Sequence, residues 1–287
     1  MGKDLMAGET KELTVVHLVR ACNGIEPLQR FLDSYRNHPA GIEHNLVFVL
    51  KGFDRGQPDK GIKDLLSEYC HQKLEVGDEG FDIGAYFQAA QAIKTPYCCF
   101  LNSFSGIRGD NWLRHLFMHV TAQGVGMAGA SGSYESHYSD FRALLSLRAV
   151  ISRRIVKVLR EFWNYKTWFS PFPNPHLRTN GFVISRDIFL KTECRIISKM
   201  DAHRYESGKY GLSSQIRAQG LKLVLVGLDG RSFTEDKWPL SDTFRLGNQD
   251  NLLISDNQTN QFQNASDDER QVLSRYSWGN LVAQGRN

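Results

Sequence analysis

The sequence predicts an α/β fold with a mostly parallel central sheet and helices on both faces of that sheet. Short β-branched apolar runs alternate with single amphipathic helices from Thr14 onward. Strands that are joined by single crossover helices pair in parallel. With 287 residues, 41% of them hydrophobic, the chain can bury the core that such a sheet needs.

The predicted elements follow one another in a regular order. Apolar runs that end in polar or glycine-rich residues indicate strands, and apolar residues at helical spacing indicate the helices between them. The predicted strands cover residues 14–20, 45–52, 73–76, 96–103, 124–133, 181–189 and 221–227. The predicted helices cover residues 27–35, 61–70, 81–93, 109–123 and 267–276.

We predict three parts along the chain: a flexible N-terminus at 1–13, one α/β domain at 14–235, and a polar arm at 236–287 that packs on the domain. Asn and Gln become abundant after Gly230. Such an arm can fold over a bound ligand and exclude water. The residues with which it would do so are Lys237, Trp238, Arg245 and Asn248.

Targeting signals and cysteines indicate the compartment. The first residues are polar and of mixed charge, unlike a secretory signal. No apolar run reaches the roughly 20 residues that cross a bilayer. The five cysteines form no CxxC pair, which argues against a metal knuckle or a disulfide framework. We therefore expect a cytoplasmic protein.

Positive charge is concentrated between Arg142 and Lys166. This segment has seven basic residues and one acidic residue, whereas the whole chain has a net charge of +4. Its apolar residues recur at helical spacing, so a single basic amphipathic helix is predicted over 142–166. It can lie on an anionic membrane surface at the inner face, or it can be a core-packed helix with a solvated basic face. No stacking motif or zinc module points to nucleic acid.

Polar or glycine-rich residues follow four of the predicted strands, at 20–24, 51–53, 80–86 and 102–106. In wound α/β sheets, ligands bind beyond the carboxyl ends of the strands. Gly80 and Gly84 let the backbone approach a ligand closely. Asp82 between them either contacts that ligand or caps the next helix.

The order of these elements, with GFDIGAY before the third helix and FLNS after the next strand, resembles the nucleotide-binding half of a GT-A, Rossmann-like glycosyltransferase. The resemblance covers about residues 14–230, and it is to the bacterial surface-polysaccharide enzymes, including the rhamnan-synthesis type. It implies an enzyme, hexosyltransferase-like, that moves a sugar from a nucleotide-sugar donor to a glycan or lipid-linked acceptor.

The resemblance also implies roles for particular residues. Glu206, which is predicted on a loop above the sheet, stands where inverting members have the base that deprotonates the acceptor, and Asp201 and His203 compete with it for that role. The implied donor-binding residues are Arg20, Lys51, Asp82, Gly84, Tyr86, Asn102, Ser103 and Arg231. The implied acceptor-binding residues are Glu135, His176, Arg178 and Asn180.

One motif departs from the family. LNS stands where relatives have the DxD motif that holds a divalent metal against the donor diphosphate, and its neutral oxygens are weak ligands for Mg²⁺ or Mn²⁺. Either basic side chains such as Arg20, Lys51 or Arg231 replace the metal, or Asp229 or Asp256 holds it. LNSFSG can also be a turn with no ligand.

Two other functions are compatible with the sequence. The missing DxD fits a catalytically silent GT-A module that binds a glycan or a protein. The GxGxxG spacing at Gly124, Gly126 and Gly129 suggests an NAD(P)-dependent oxidoreductase. That motif should follow a strand and open a helix, however, and here it is itself predicted as a strand.

Overall fold

The computed structural model describes residues 11–53, 60–67, 72–148 and 155–284. The strands are β1 (Leu13–Arg20), β2 (Asn45–Lys51), β3 (Gln72–Val76), β4 (Tyr97–Leu101), β5 (Gly106–Ile107), β6 (Val125–Gly129), β7 (Gly132–Ser133), β8 (His176–Leu177), β9 (Phe182–Ser185), β10 (Lys222–Val226), β11 (Ser232–Phe233) and β12 (Ile254–Ser255). The α-helices are α1 (Glu26–Asn37), α2 (Lys60–Ser67), α3 (Phe81–Ala92), α4 (Trp112–Val120), α5 (His137–Arg148), α6 (Ile155–Trp168), α7 (Arg186–Leu190), α8 (Lys199–Ser207), α9 (Leu212–Ala218), α10 (Asn257–Gln263) and α11 (Asp267–Trp278). Short 3-10 helices cover Ala21–Asn23, Glu235–Leu240 and Gly279–Gln284.

The central sheet has eight strands in the order β11-β10-β6-β9-β4-β1-β2-β3. Strands β3, β2, β1, β4, β6 and β10 run in one direction, because β9 is antiparallel to both β4 and β6. The edge strand β11 is antiparallel to β10. The mostly parallel α/β class is therefore confirmed.

Helices cover both faces of the sheet. In β1, Val16 and Leu18 contribute to the core beneath α3, whereas Leu13, Val15 and Val19 contribute to the core beneath α1, α2 and α4. A strand whose successive side chains point to opposite faces is apolar throughout when both faces are covered. This burial pattern explains the nearly continuous apolar run in β1.

The GxGxxG segment forms a strand. Gly126 and Gly129 lie in β6, and a Cβ on Gly126 would come within 2.5 Å of Ile216. Gly126 allows close packing of α9 on the sheet and Gly129 allows close packing of Leu177 of β8, and no helix begins directly after them. The structure thus supports the sequence argument against a dinucleotide fingerprint.

The basic segment predicted as one helix over 142–166 is divided between α5 and α6, and residues 149–154 lie outside the described residues. Aromatic side chains join the two helices. Phe141 stacks on Tyr165 with ring centroids 4.5 Å apart, and Tyr138 lies 5.8 Å from Phe162. Part of the apolar side of the segment is therefore used in helix pairing.

The segment after residue 235 contributes side chains to the core of the fold. Trp238 and Trp278 are fully buried, and Trp278 donates through Nε1 to the carbonyl oxygen of Phe244 at 2.7 Å. Strand β12 pairs with β5, directly beyond the end of β4. The C-terminal segment therefore reaches the edge of the sheet where the site residues lie.

Candidate functional site

The candidate site lies at the carboxyl ends of the parallel strands. Arg20 ends β1, and Asn102 follows β4. Asp82 lies in the first turn of α3. Because β9 runs against β4, Asn180 just before β9 lies at the same edge as Asn102. Arg20, Asp82 and Asn102 thus lie at the strand ends that the strand order indicates, whereas Asn180 reaches the same edge because β9 is antiparallel.

Arg20 lies between two carboxylates. Its Nη2 is 3.5 Å from Asp78, and its Nη1 is 3.6 Å from Asp82. Burial raises the pKa of Asp82, although Arg20 and Lys51 oppose that rise. Glu206 is near enough for its negative charge to raise the pKa of Asp82 as well. The site therefore places a carboxyl group of raised proton affinity close to Glu206.

Asp82 does not cap its helix. The residue before α3 is Gly80, which adopts φ +71°, and the N-cap position makes no side-chain hydrogen bond. A Cβ on Gly80 would come within 3.0 Å of the Cα of Gly84. The two glycines therefore permit a tight turn, and the N-cap alternative for Asp82 is wrong.

Lys51 has a structural role that the sequence did not reveal. Its side chain is almost fully buried, and Nζ donates to the carbonyl oxygens of Gly77 at 3.1 Å and Glu79 at 2.6 Å. Burial lowers the pKa of Lys51. The ammonium group holds the loop before α3 in place, so its hydrogen bonds are not directed at a diphosphate.

Tyr86 is also part of the core. It is 0% exposed, and its ring lies 4.8 Å from that of Phe100. Burial raises the pKa of Tyr86 well above its ordinary value, so its hydroxyl stays protonated. The hydroxyl has no hydrogen-bond partner within the described ranges.

The LNS turn is a hydrogen-bonded junction. The amide of Asn102 donates to Asn180 Oδ1 at 2.9 Å, and Asn102 Oδ1 accepts from the amide of Phe104 at 2.9 Å. The Ser105 hydroxyl donates to Asn180 Oδ1 at 2.7 Å. Ser103 Oγ is buried and has no partner in the described part of the chain. The neutral residues thus join β4 to the start of β9.

Asp256 continues this junction into the C-terminal segment. Its Oδ1 accepts from the amides of Gln258 and Thr259, both at 3.0 Å, and so caps α10. Its Oδ2 accepts from Arg178 Nη2 at 2.7 Å. Asn180 Nδ2 lies 3.5 Å from the same oxygen. The carboxylate is fully buried and both of its oxygens are engaged.

These residues do not fit a divalent metal. Mg²⁺ and Mn²⁺ prefer charged oxygen ligands, whereas Asn102 and Ser103 supply neutral ones and Asp256 is paired with a guanidinium. Asp229 is bonded to Arg231 through Oδ2 at 2.6 Å. Across the described residues, no group of three or more His, Cys, Asp or Glu side chains is arranged to hold a metal ion.

Arg231 lies apart from the other predicted donor-binding residues. It directly precedes β11, the edge strand, and 77% of its side chain is exposed. Five strand spacings, about 24 Å, separate β11 from β1 in the sheet order. Arg231 pairs with Asp229 at that edge and does not join Arg20 and Asp82.

Glu206 lies in the last turn of α8, and not on a loop as its sequence context suggested. Its Oε1 accepts from the Thr179 amide at 3.1 Å and from the Thr179 hydroxyl at 3.0 Å. Burial by itself would raise the pKa of Glu206, but His176, Arg178 and the Thr179 hydrogen bonds lower it below the ordinary value. Glu206 is therefore an ionised carboxylate, fixed through one oxygen.

Asp201 stabilises its own helix. Its carboxylate accepts from the Ser198 amide at 2.8 Å while its amide donates to Ser198 Oγ, which together make a capping box at the start of α8. These hydrogen bonds lower the pKa of Asp201. The structure thus gives Asp201 a capping role, with no contact to Glu206.

The predicted acceptor-binding residues divide into two groups. His176, Arg178 and Asn180 lie on the segment that holds Glu206, and His176 Nδ1 is 2.8 Å from the carbonyl oxygen of Asn174. Glu135 instead pairs with Arg245 Nη1 at 2.5 Å and accepts from Ser277 Oγ at 3.0 Å. Glu135 therefore anchors the C-terminal segment.

A pair of histidines lies near Glu206: His203 was already a candidate base from the sequence, whereas His137 was missed. The rings of His137, on α5, and His203, on α8, have centroids 4.9 Å apart. Burial, and then His203, lower the pKa of His137 to about 4, while Glu135 and Glu206 act in the opposite direction. No local pattern pairs positions 137 and 203, because only the tertiary fold brings α5 against α8.

This histidine pair predicts a pH-dependent stability. Between pH 6.5 and about 4 the unfolded chain binds a proton at His137 that the folded chain does not bind. The free energy of unfolding should therefore fall as the pH falls through this window, by up to about 3 kcal/mol from His137. We expect His137→Phe to reduce this loss, measured by urea unfolding at both ends of the window. The control is His38→Phe, since His38 faces Asp110 at the surface. If the free energy of unfolding of His137→Phe depends on pH as strongly as that of the wild type, His137 is not the cause of the loss.

Comparisons with known proteins give only distant likenesses. No protein-family model matches the chain, and no curated protein matches it. Among solved structures, the mannosyltransferase PcManGT from Pyrobaculum calidifontis, in complex with GDP-Man and Mn²⁺, has a TM-score of 0.46 at 11% identity, over 76% of this chain. Glucosyl-3-phosphoglycerate synthase from Mycobacterium tuberculosis, with Mn²⁺, UDP and phosphoglyceric acid, has a TM-score of 0.36 at 14% identity, over 72% of this chain. The aligned part spans 55% and 62% of those two chains.

Proposed function

We propose that the chain is an inverting glycosyltransferase that moves a sugar from a nucleotide-sugar donor to a glycan or lipid-linked acceptor in surface polysaccharide synthesis. The observation that carries the proposal is the position of Glu206. Its carboxylate is held by Thr179, just before β9 at the carboxyl edge of the sheet, and its negative charge contributes to the raised pKa of Asp82. Two carboxyl groups with pKa shifts in opposite directions suit a site that moves protons.

The reaction needs one base. Glu206 accepts the proton of the acceptor hydroxyl, whose oxygen then attacks the anomeric carbon of the donor sugar. The bond between that carbon and the diphosphate oxygen breaks, and the nucleoside diphosphate leaves with the electron pair. Oε1 accepts from the Thr179 amide and hydroxyl, and in this mechanism Oε2 faces the acceptor.

In this mechanism the guanidinium of Arg20 neutralises the negative charge of the donor diphosphate. Arg20 ends β1 beside the first turn of α3, and 27% of its side chain is exposed. Its Nε is buried without a partner in the described ranges. A guanidinium next to a helix N-terminus is a suitable environment for phosphate oxygens. We expect donor binding to survive chelation of divalent metals, since the available ligand set does not fit a metal.

The function is tested with nucleotide sugars. A thermal-shift screen of nucleoside diphosphates and nucleotide sugars identifies the donor, and donor hydrolysis and transfer are then measured with and without EDTA. Turnover supports the proposal. Failure of every nucleotide to bind or turn over would refute it.

A catalytically silent GT-A module that binds a glycan is the second candidate. It is favoured by the LNS turn, whose polar atoms are mostly used within the fold. Nucleotide or glycan binding without turnover would select this candidate. The same assays therefore separate the two functions.

We also propose that the protein is cytoplasmic and contacts the inner membrane face through α6. Leu159 and Trp163 are 53% and 59% exposed and lie four residues apart, on one side of the helix. Arg160 and Lys166 are next to them, with Lys166 Nζ 4.9 Å from the Trp163 ring. No helix in the described ranges has the length and apolarity to cross a bilayer.

Vesicle binding tests this membrane contact. We expect cosedimentation with vesicles rich in phosphatidylglycerol and little with phosphatidylcholine, because both cations and apolar side chains contribute. Trp163→Glu should weaken binding about tenfold, and Val272→Glu, at a 67% exposed position on α11, should not. Equal binding by both variants would exclude α6 as the contact.

A further inference from the structure

A large cleft lies on the other side of α8 from Glu206. Its volume is about 820 Å³, and Asp201 and Arg204 of α8 line it. Residues on a helix are about 100° apart, so these two side chains point away from the direction of Glu206. The cleft is nevertheless near the donor loop, because the carbonyl oxygen of its lining residue Ile196 approaches Gly80.

The walls of the cleft are fixed by hydrogen bonds. Gln215 accepts from the Glu193 amide at 2.7 Å and donates through Nε2 to the carbonyl oxygens of Glu193 at 3.0 Å and Tyr210 at 2.9 Å. Lys209 donates through its amide to the carbonyl oxygen of Trp168 at 2.8 Å. One glutamine and one lysine therefore tie the loops on opposite sides of the cleft, so the cleft is formed before any ligand arrives.

The lining combines exposed apolar side chains with paired charges. Tyr210 is 81% exposed and Ile197 is 72% exposed, although both are large and apolar. The Arg204 guanidinium lies 4.9 Å from the Trp168 ring and 3.3 Å from Asp201. An exposed tyrosine and an exposed isoleucine in one cleft, next to oriented polar groups, suit a binding surface.

The balance of charge indicates what the ligand is. Two acidic residues, Glu193 and Asp201, and two basic residues, Arg195 and Arg204, line the cleft. A site for phosphate or nucleic acid needs an excess of cations, which this lining does not have. Aromatic faces together with both donors and acceptors suit a neutral chain of hydroxyl groups, and the volume lies within the usual range of small-ligand sites.

We propose that this cleft binds an oligosaccharide, namely the part of the acceptor glycan that lies beyond the reacting sugar. The identity of the glycan as the acceptor rests on the proposed function, whereas glycan binding itself does not. A growing chain held across α8 would place its reacting end on the Glu206 side of the helix and its earlier sugars in the cleft.

Binding of a defined oligosaccharide set tests the inference. The set contains tri- to hexasaccharides of glucose, mannose, galactose, rhamnose and N-acetylhexosamine, and affinities are measured by calorimetry. We expect at least one member to bind, Tyr210→Ala to raise its Kd about tenfold or more, and Tyr210→Phe to retain most of the affinity. Met118→Ala, at an exposed apolar position on α4, is the control and should leave Kd unchanged.

The outcomes separate this inference from the proposed function. Binding that depends on Tyr210, with or without nucleotide-sugar turnover, supports the cleft as a glycan site. Absence of binding by every member of the set, or equal Kd values for wild type and Tyr210→Ala, overturns it even if the chain turns over nucleotide sugars. Trp168→Ala gives a second test, because removal of the indole ring should also raise the Kd of the same oligosaccharide.

Discussion

Glu206→Gln is expected to lower the transfer rate by about 10²–10⁴-fold. The amide oxygen of glutamine can still accept from the Thr179 amide and hydroxyl, so the side chain keeps its position. What is lost is the negative charge that accepts the proton of the acceptor. The measurement is kcat for transfer, together with the Kd of the nucleoside diphosphate, which should change little because Glu206 faces the acceptor.

Glu269→Gln is the matched control. Glu269 is also a helical glutamate with a carboxylate engaged in hydrogen bonds, since it forms the capping box of α11 with Ser266. Its replacement should leave kcat unchanged. The wild-type acid limb of kcat should fall below pH 4.5, because the pKa of Glu206 is lowered from that value. Normal turnover in Glu206→Gln would show that another group is the base.

Arg178→Met should produce the largest loss of stability. It removes the guanidinium from a buried ion pair and leaves the Asp256 carboxylate, which is 0% exposed, without its charged partner. Breaking one side of a buried pair typically costs about 3–5 kcal/mol. The free energy of unfolding, from urea titration followed by circular dichroism, is the measurement.

The control for this prediction is Arg231→Met. Arg231 also pairs with an aspartate, at 2.6 Å, but its side chain is 77% exposed. An exposed pair contributes about 0–1 kcal/mol, so this variant should unfold close to the wild type. A similar decrease in the free energy of unfolding of both variants would mean that burial of the Arg178–Asp256 pair does not determine its contribution to stability.

The local pattern of apolar residues was sufficient to predict the position of most strands in the central sheet. The runs at 14–20, 45–52 and 221–227 become β1, β2 and β10, and no boundary differs by more than one residue. Their order predicts that the ends of β1 and β4 lie at one edge, and at that edge Arg20 is 3.6 Å from Asp82 while Asn102 follows β4. The antiparallel direction of β9 was not predicted, since strand direction depends on the path between strands and not on the strand's own residues.

The hydrogen-bond partners of individual side chains could not be predicted from the sequence. Lys51 follows an apolar strand, as a ligand-binding residue would, yet its charge is used by two carbonyl oxygens. The sequence context points to Glu206, but it does not predict the hydrogen bonds from Thr179 to Glu206, which join residues 27 positions apart. Such hydrogen bonds arise between elements that meet only in the folded chain, and no periodicity encodes them.

The position of Asp256 has a consequence for how the protein is made. The junction at the end of β4 is completed only by a carboxylate that lies about 150 residues later in the chain, together with the pairing of β12 with β5. During translation, the earlier strands leave the ribosome with Arg178 and Asn180 still lacking this partner. The nascent chain therefore cannot complete this junction while Arg178 and Asn180 are being synthesised, and it does so only after Asp256 has left the ribosome.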